Sequence, residues 1–168
     1  MEVRLGLRVR VVAGSRLHAG FHVVGDRLKG ISYMGAGFYV EEPRVVVEVD
    51  DDCGAQVIEA GAFTDVARLV ASKTGFTGCI RVVRAPPRHH GLGSTTQVAL
   101  SIYHAVQVLR GRSPEPGELV EAGVGLLGRS VGSTVGSVLY AYGGFASGIG
   151  VPPPKAYTPL RLSLIHIS

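Results

Sequence analysis

The chain has 168 residues, 46% of them hydrophobic, and a formal net charge of +4. This length fits one domain with a sizeable core, and the hydrophobic fraction excludes a disordered chain. No apolar run approaches the roughly 20 residues that a membrane-spanning helix needs. The N-terminus has no basic segment followed by an apolar core, as a signal peptide would have. We therefore expect a cytoplasmic protein without a membrane partner.

The cysteines and the basic residues narrow the chemistry further. Two cysteines are too few for a disulfide framework and lack metal-site spacing, so we interpret Cys53 and Cys79 as structural or incidental. Lys and Arg together number 17, and nearly all are Arg. Arginine suits bidentate contact with phosphate or carboxylate. A polyanionic small molecule or an RNA would fit this composition, and a solvated basic surface is the plain alternative.

Hydrophobic periodicity and turn residues predict the elements in chain order. Strands are predicted at 3–12, 21–24, 37–41 and 44–49, with a turn at 13–20, a glycine-rich bend at 33–37 and a loop at 50–60. Helices are predicted at 64–73, 95–110 and 117–127, and further strands at 78–84, 138–142, 145–149 and 160–167. No repeat of 20–50 residues is present, so the chain does not have the pattern of a repeat protein.

The segment Pro87–Gln97 lies between a predicted strand and a predicted helix, and it is the most informative part of the chain. Amides at a helix start lack internal partners and carry partial positive charge, which makes such a turn an anion site. Gly91 and Gly93 would let a phosphate approach the backbone. The hydroxyls of 94–96 could cap the helix or bind phosphate or its metal ion. The pattern is neither a Walker A loop nor a Rossmann fingerprint, and an ordinary capped helix start is the alternative.

Four segments together resemble one family. Residues 87–95 are similar to P-x-x-x-G-L-G-S-S, the second motif of the GHMP kinase superfamily, and 89–97 are similar to H-x-G-L-G-S-G-T-Q. Residues 15–21 are similar to S-R-L-H-L-G-L, and 34–43 to a G-G-x-G segment before E-x-P. Residues 129–145 are similar to R-G-x-x-S-x-x-G followed by Y-G-G-F. Within the superfamily the chain therefore resembles most the β-ribofuranosylaminobenzene 5′-phosphate synthases.

The resemblance implies an α+β fold, the GHMP kinase N-terminal domain of the ribosomal-protein domain 2 type, with a mixed sheet backed by helices. It implies that residues 1–161 form this domain and that a C-terminal GHMP domain is missing. We therefore expect the chain alone to be inactive, because half of the cleft is absent. Residues 162–168 end inside a strand pattern and resemble a translated sequencing adapter. We interpret them as a truncated or artefactual tail, with a genuine edge strand as the alternative.

The resemblance also implies a function. It implies a transferase of methanopterin biosynthesis that joins phosphoribosyl pyrophosphate to 4-aminobenzoate and releases CO₂ and pyrophosphate. Mg²⁺ is expected on the diphosphate, with no tightly bound cofactor and no metal site of the protein's own. The catalytic candidates are His18 and His89. The candidate phosphate-binding residues are Gly91, Leu92, Gly93, Ser94, Thr95 and Thr96. The candidate substrate-binding residues are Arg16, Arg129 and Ser133.

Departures from the family pattern separate the alternatives. Gly136 stands where the kinases of the superfamily commonly carry an acidic base. This argues against the alternative function, that of a GHMP-family small-molecule kinase. Arg88 is a further candidate phosphate contact, for which a surface role is favoured. Asp50–Asp52 is interpreted as a solvated loop. The chain lacks basic residues interleaved with aromatic ones, which makes nucleic acid an unlikely partner. A monomer and a homodimer both remain open.

Overall fold

The computed structural model describes residues 7–24, 32–53, 55–126, 128 and 133–150. Its strands are β1 (Arg8–Val24), β2 (Ser32–Asp50), β3 (Ile58–Glu59), β4 (Cys79–Arg84) and β5 (Phe145–Gly150). Its α-helices are α1 (Thr64–Thr74), α2 (Ser94–Leu109), α3 (Pro116–Glu121) and α4 (Thr134–Tyr142). A 3₁₀ turn, Gly61–Phe63, precedes α1, and a π-helical turn, Ala122–Leu126, follows α3.

The five strands form one mixed sheet, as expected. The order is β1-β2-β4-β3, and β5 also pairs with β2. Strand β2 has 19 residues, so its first part can pair with β5 and its last part with β4 while β1 runs along it on the other side. Strand β3 is parallel to β4, whereas the other pairs are antiparallel. The α+β fold class is therefore confirmed.

The main core lies between one face of the sheet and helices α1 and α2. Alternate residues of a strand point to one face, and Val45, Val47 and Val49 of β2 are fully buried in this core. A smaller cluster packs α4 against β5, through Leu139 and Ala146. In the part of the chain that the structure describes, no helix is long and apolar enough to cross a bilayer.

Local signals were sufficient for helix α1 and strand β4. The helix spans Thr64–Thr74 against a predicted 64–73, and the strand spans Cys79–Arg84 against 78–84. Gly75 ends the helix with φ +62°, and its amide bonds to the carbonyls of Ala71 and Ser72. A left-handed glycine at this position is a standard helix end.

Several predicted elements are wrong. The turn at 13–20 and the bend at 33–37 lie inside the long strands β1 and β2. Register shifts at Ala13/Ser15 and His18/Phe21 absorb the extra residues, as β-bulges do. The strand predicted at 138–142 is part of α4, the helix at 117–127 divides into α3 and the π-helical turn, and the loop at 50–60 contains β3. The segment 151–168, which includes the predicted strand at 160–167, lies outside the described residues.

A disulfide joins the two cysteines, which the sequence analysis did not predict. It links Cys53, in the loop after β2, to Cys79, the first residue of β4, across 26 positions of sequence. Two cysteines are too few for a framework of several disulfides, but a single pair still forms one disulfide when the fold brings the two side chains together. Here the Cα atoms are 6.0 Å apart, within the usual range for a disulfide.

Candidate functional site

The glycine-rich loop runs beside the middle of β1. The amide of Arg16 donates to the carbonyl of Leu92 at 3.0 Å, and the amide of His18 donates to the carbonyl of Gly91 at 2.9 Å. These two bonds continue the sheet pairing of β1 onto the loop. They bring together two of the segments that carry the family resemblance.

The loop leads directly into α2, and several of its backbone amides have no described acceptor. Gly93 is the N-cap residue, with φ +62°, and its carbonyl accepts the amide of Gln97 at 3.1 Å. No side chain caps the helix, so the alternative of an ordinary hydroxyl cap is wrong. The amides from Gly91 to Thr95 donate to no described residue. A helix start with such amides can bind an anion.

The three hydroxyl residues after Gly93 differ in their surroundings. Ser94 is buried, and its Oγ donates to the carbonyl of Pro87 at 3.2 Å. Thr96 is also buried, beside Gly136 of α4. Thr95 is more exposed than either. Thr95 is therefore the hydroxyl of this trio that a ligand reaches most readily.

Arg16 places a positive charge beside the loop. Its Nη1 donates to Ser133 Oγ at 2.8 Å, and its side chain packs against Gly93, where a Cβ would lie 3.1 Å from its Cβ and Nε. Its Nε is buried and bonds to no described acceptor, and no described carboxylate forms an ion pair with it. Burial lowers the pKa of Arg16 from its ordinary value, yet a guanidinium stays charged in proteins. Such a cation favours an anionic ligand.

Helix α4 begins at the same place. Ser133 is its N-cap residue, and Ser133 Oγ accepts the amide of Gly136 at 3.3 Å. A Cβ on Gly136 would lie 3.2 Å from Cγ2 of Thr96. The starts of α2 and α4 are therefore in contact, with the Arg16 side chain bonded to one and packed on the other.

The two histidine candidates have different positions. His18 lies two residues after Arg16 on β1, so both side chains share one face of the strand. Burial, followed by the positive charge of Arg16, holds the pKa of His18 below 6.5. His89 is exposed, with φ +65°, and among the described residues none bonds to its imidazole. The structure therefore brings His18 to the site, but no described contact does so for His89.

Arg88, a further arginine candidate, makes its described contacts away from the loop. Arg88 donates to both carboxylate oxygens of Asp65, at 2.9 and 3.1 Å, and to the carbonyl of Ala62, so it has a structural role at α1. Arg129 lies outside the described residues. No group of three or more His, Cys, Asp or Glu side chains in the described ranges could hold a metal ion. Asp50 is paired with Arg8 at 3.0 Å.

Gln97 is a site-adjacent residue for which the sequence reasoning predicted no role. It is fully buried, and its Nε2 donates to the carbonyl of Gly136 at 2.9 Å. The available signal was a polar residue in a helix whose next residues, Val98, Ala99 and Leu100, are apolar. A buried amide in such a helix needs a specific partner.

Comparison with known proteins supports the fold. No family model matches the sequence, and no curated protein matches it. The crystal structure of the Methanococcus jannaschii mevalonate kinase is similar, with a TM-score of 0.57 at 11% identity, over 88% of this chain and 56% of the kinase. The chain thus spans little more than half the length of that protein, and at this identity the likeness shows the fold alone. The described chain has a fold of the GHMP kinase type.

Proposed function

We propose that the protein carrying this chain is a phosphoribosyl-type transferase. It joins phosphoribosyl pyrophosphate to 4-aminobenzoate and releases CO₂ and pyrophosphate, the reaction of the family that the sequence resembles in methanopterin biosynthesis. The fold is compatible with this proposal, and so are the contacts that bring β1, the glycine-rich loop and the start of α4 together.

The observation that carries the proposal is the position of Arg16. Its guanidinium has no described carboxylate partner, and its side chain packs on the loop whose amides also have no described acceptor. A partly buried cation and a set of helix-start amides at one place favour a ligand with high negative charge. A diphosphate is such a ligand.

The chemistry of the reaction matches these groups. The ring carbon that bears the carboxylate attacks C1 of the ribose, and the C1–O bond breaks with its electron pair on pyrophosphate. The bond to the carboxylate then breaks, CO₂ leaves, and that electron pair restores the aromatic ring. Donors and cations aimed at the leaving pyrophosphate lower the barrier. Mg²⁺ would arrive with the diphosphate and share this task.

The amides of Gly91–Thr95 and the Thr95 hydroxyl would bind the diphosphate, and Arg16 would neutralise part of its charge. His18, whose pKa is lowered first by burial and then by the charge of Arg16, would orient substrate by hydrogen bonding. No base is required, because loss of CO₂, rather than of a proton, ends the reaction. Arg129 and His89 stay candidates from the sequence resemblance.

The second candidate is a small-molecule kinase, because the structural neighbour is a mevalonate kinase. A kinase of this type needs a group that accepts the proton of the attacking alcohol. The residue at the matching position is Gly136, which has no side chain to do so. We therefore place the transferase first.

RNA binding has little support from the charge distribution. Arg8, Arg10 and Arg81 lie on the sheet and are each paired with a carboxylate, at 3.0, 3.1 and 2.6 Å. Paired arginines contribute less to contact with a phosphate backbone, which depends on unpaired positive charge. This supports a small-molecule ligand over a nucleic acid.

The direct test uses the protein that carries this chain. It measures the labelled CO₂ that this protein releases from carboxyl-labelled 4-aminobenzoate in the presence of phosphoribosyl pyrophosphate and Mg²⁺. Arg16→Met is expected to slow release by on the order of 100-fold, the usual effect of removing one group that stabilises the transition state. The matched control is Arg10→Met, which removes the same charge from the same strand at an exposed, ion-paired position. This control should leave the rate unchanged.

Two outcomes would contradict the proposal. ATP-dependent phosphorylation of an alcohol, without CO₂ release, would establish the kinase instead. Equal rates for the two arginine variants would remove Arg16 from the site and with it the main support for a diphosphate ligand.

A further inference from the structure

We infer that Gln97 is a positioning residue for the pyrophosphate site, an inference that rests on the proposed function. Gln97 is fully buried, one turn into α2, and its Nε2 donates to the carbonyl of Gly136 at 2.9 Å. This bond connects α2, which begins at the loop, with α4, whose N-cap residue is Ser133. A buried amide donor is kept only where it has a partner, so the bond fixes how the two helix starts meet.

The bond belongs to a closed ring of contacts around the site. The backbone amide of Gln97 donates to the carbonyl of Gly93 at 3.1 Å, and the side-chain Nε2 of Gln97 donates to the carbonyl of Gly136 at 2.9 Å. The Gly136 amide donates to Ser133 Oγ at 3.3 Å, and Arg16 Nη1 donates to the same oxygen at 2.8 Å. The Arg16 side chain then packs against Gly93, which closes the ring.

The ring explains how a side chain that is fully buried can affect the ligand site. Ser133 Oγ binds both the start of α4 and the guanidinium of Arg16. If the start of α4 moves, the acceptor that holds Arg16 moves with it. Gln97 holds that start, so it acts on a diphosphate through Ser133 and Arg16.

The test compares Gln97→Met, which keeps the length of the side chain and removes its donor, with Ser101→Ala. Ser101 is one turn further along α2, is fully buried, and lies outside the ring. We expect Gln97→Met to weaken binding of magnesium pyrophosphate to this chain by about tenfold, the effect of one hydrogen bond. Ser101→Ala should leave the affinity unchanged. Titration calorimetry measures both, and urea unfolding shows whether each variant is folded.

A double variant tests whether the ring acts as one unit. Gln97→Met combined with Ser133→Ala should weaken pyrophosphate binding by less than the product of the two single effects, because both changes release the same guanidinium. Independent, multiplicative effects would contradict the ring.

A measurement without ligand separates this inference from the proposed function. The Arg16 Nε–H resonance should shift in Gln97→Met and stay in place in Ser101→Ala. An unshifted resonance overturns the inference, as does equal pyrophosphate affinity of Gln97→Met and the wild type. Failure of the wild type to bind pyrophosphate overturns the proposed function, and the resonance then decides the role of Gln97 on its own.

Discussion

Replacing Gly93 by alanine tests the contact between the loop and Arg16. Gly93 has φ +62° and ψ +19°, a left-handed conformation that costs a residue with a Cβ about 1–2 kcal/mol. The new Cβ would also lie 3.1 Å from Cβ and Nε of Arg16, so that side chain must move by a few tenths of an ångström. Gly93→Ala should therefore reduce both stability and anion binding.

Gly75 provides a matched control. It has φ +62° and ψ +31° at the end of α1, and a Cβ there would meet nothing within 4 Å. Gly75→Ala carries the same backbone cost of about 1–2 kcal/mol without disturbing Arg16. The two variants thus differ in what the added methyl group contacts, whereas the backbone conformation at the two positions is nearly the same.

The magnitudes follow from the bond that Arg16 makes. Displacing its guanidinium weakens the 2.8 Å bond to Ser133, and a hydrogen bond to a charged group contributes about 1.5–3 kcal/mol. A loss near the lower value weakens pyrophosphate binding by about tenfold, since 1.4 kcal/mol corresponds to that factor. Gly75→Ala should lower the free energy of unfolding and leave the affinity for pyrophosphate unchanged.

Urea unfolding and calorimetric titration with magnesium pyrophosphate measure the two effects. Equal pyrophosphate affinities for Gly93→Ala and Gly75→Ala would refute the reasoning, because the crowding of Arg16 would then have no consequence for the ligand.

Three further changes have expected outcomes. Reducing the disulfide between Cys53 and Cys79, which are separated by 26 positions, should lower the free energy of unfolding by about 3 kcal/mol. Urea unfolding with and without reductant measures this difference. The variant with both cysteines replaced by serine should show no effect of reductant. Burial is the main cause that lowers the pKa values of His18 and His104 from 6.5. The stability that these neutral histidines contribute is thus complete above pH 6.5, and it is lost as the pH falls through their lowered pKa values. Unfolding experiments across this pH range should show a smaller loss of stability for His104→Gln than for the wild type. Gly136→Asp should weaken pyrophosphate binding in calorimetry, because it adds negative charge beside the loop, and unchanged affinity would place the ligand elsewhere.

The elements predicted well from sequence are those whose signals are local. Helix α1 has an apolar face at helical spacing and a glycine that ends it in the left-handed conformation. The loop before α2 was located from glycine positions and from its place between a strand and a helix. In both cases the deciding interactions lie within a few residues of each other.

The long strands were missed because their glycines were interpreted as turn residues. A Cβ on Gly14 would clash with the Tyr39 ring, and one on Gly37 would lie 3.0 Å from the carbonyl of Leu17. These glycines allow close approach of neighbouring groups inside a sheet. That requirement comes from partners more than 15 residues away in sequence, which a local pattern does not contain.

Helix α4 was predicted as a strand for a different reason. Its short apolar run, 138–142, fits a strand as well as a buried helix, and periodicity alone does not separate the two. The helix is set by its start, where Ser133 accepts the amide of Gly136, and by burial of Leu139. The contact between Arg16 and Ser133 spans 117 positions, so the sequence proposed both residues for the substrate without indicating that they touch.

Position 136 is where the likeness to a kinase and the proposed chemistry separate. A kinase needs a side chain that takes a proton from the attacking alcohol. At Gly136 the space that a Cβ would fill is bounded by Thr96 and Ser133, at 3.2 and 3.3 Å. An aromatic ring that attacks and then loses CO₂ needs no such base, so the remaining demand is to stabilise charge on the departing pyrophosphate. Helix-start amides and one partly buried arginine would supply this, so under the proposed function this fold would serve a transferase without a new catalytic side chain.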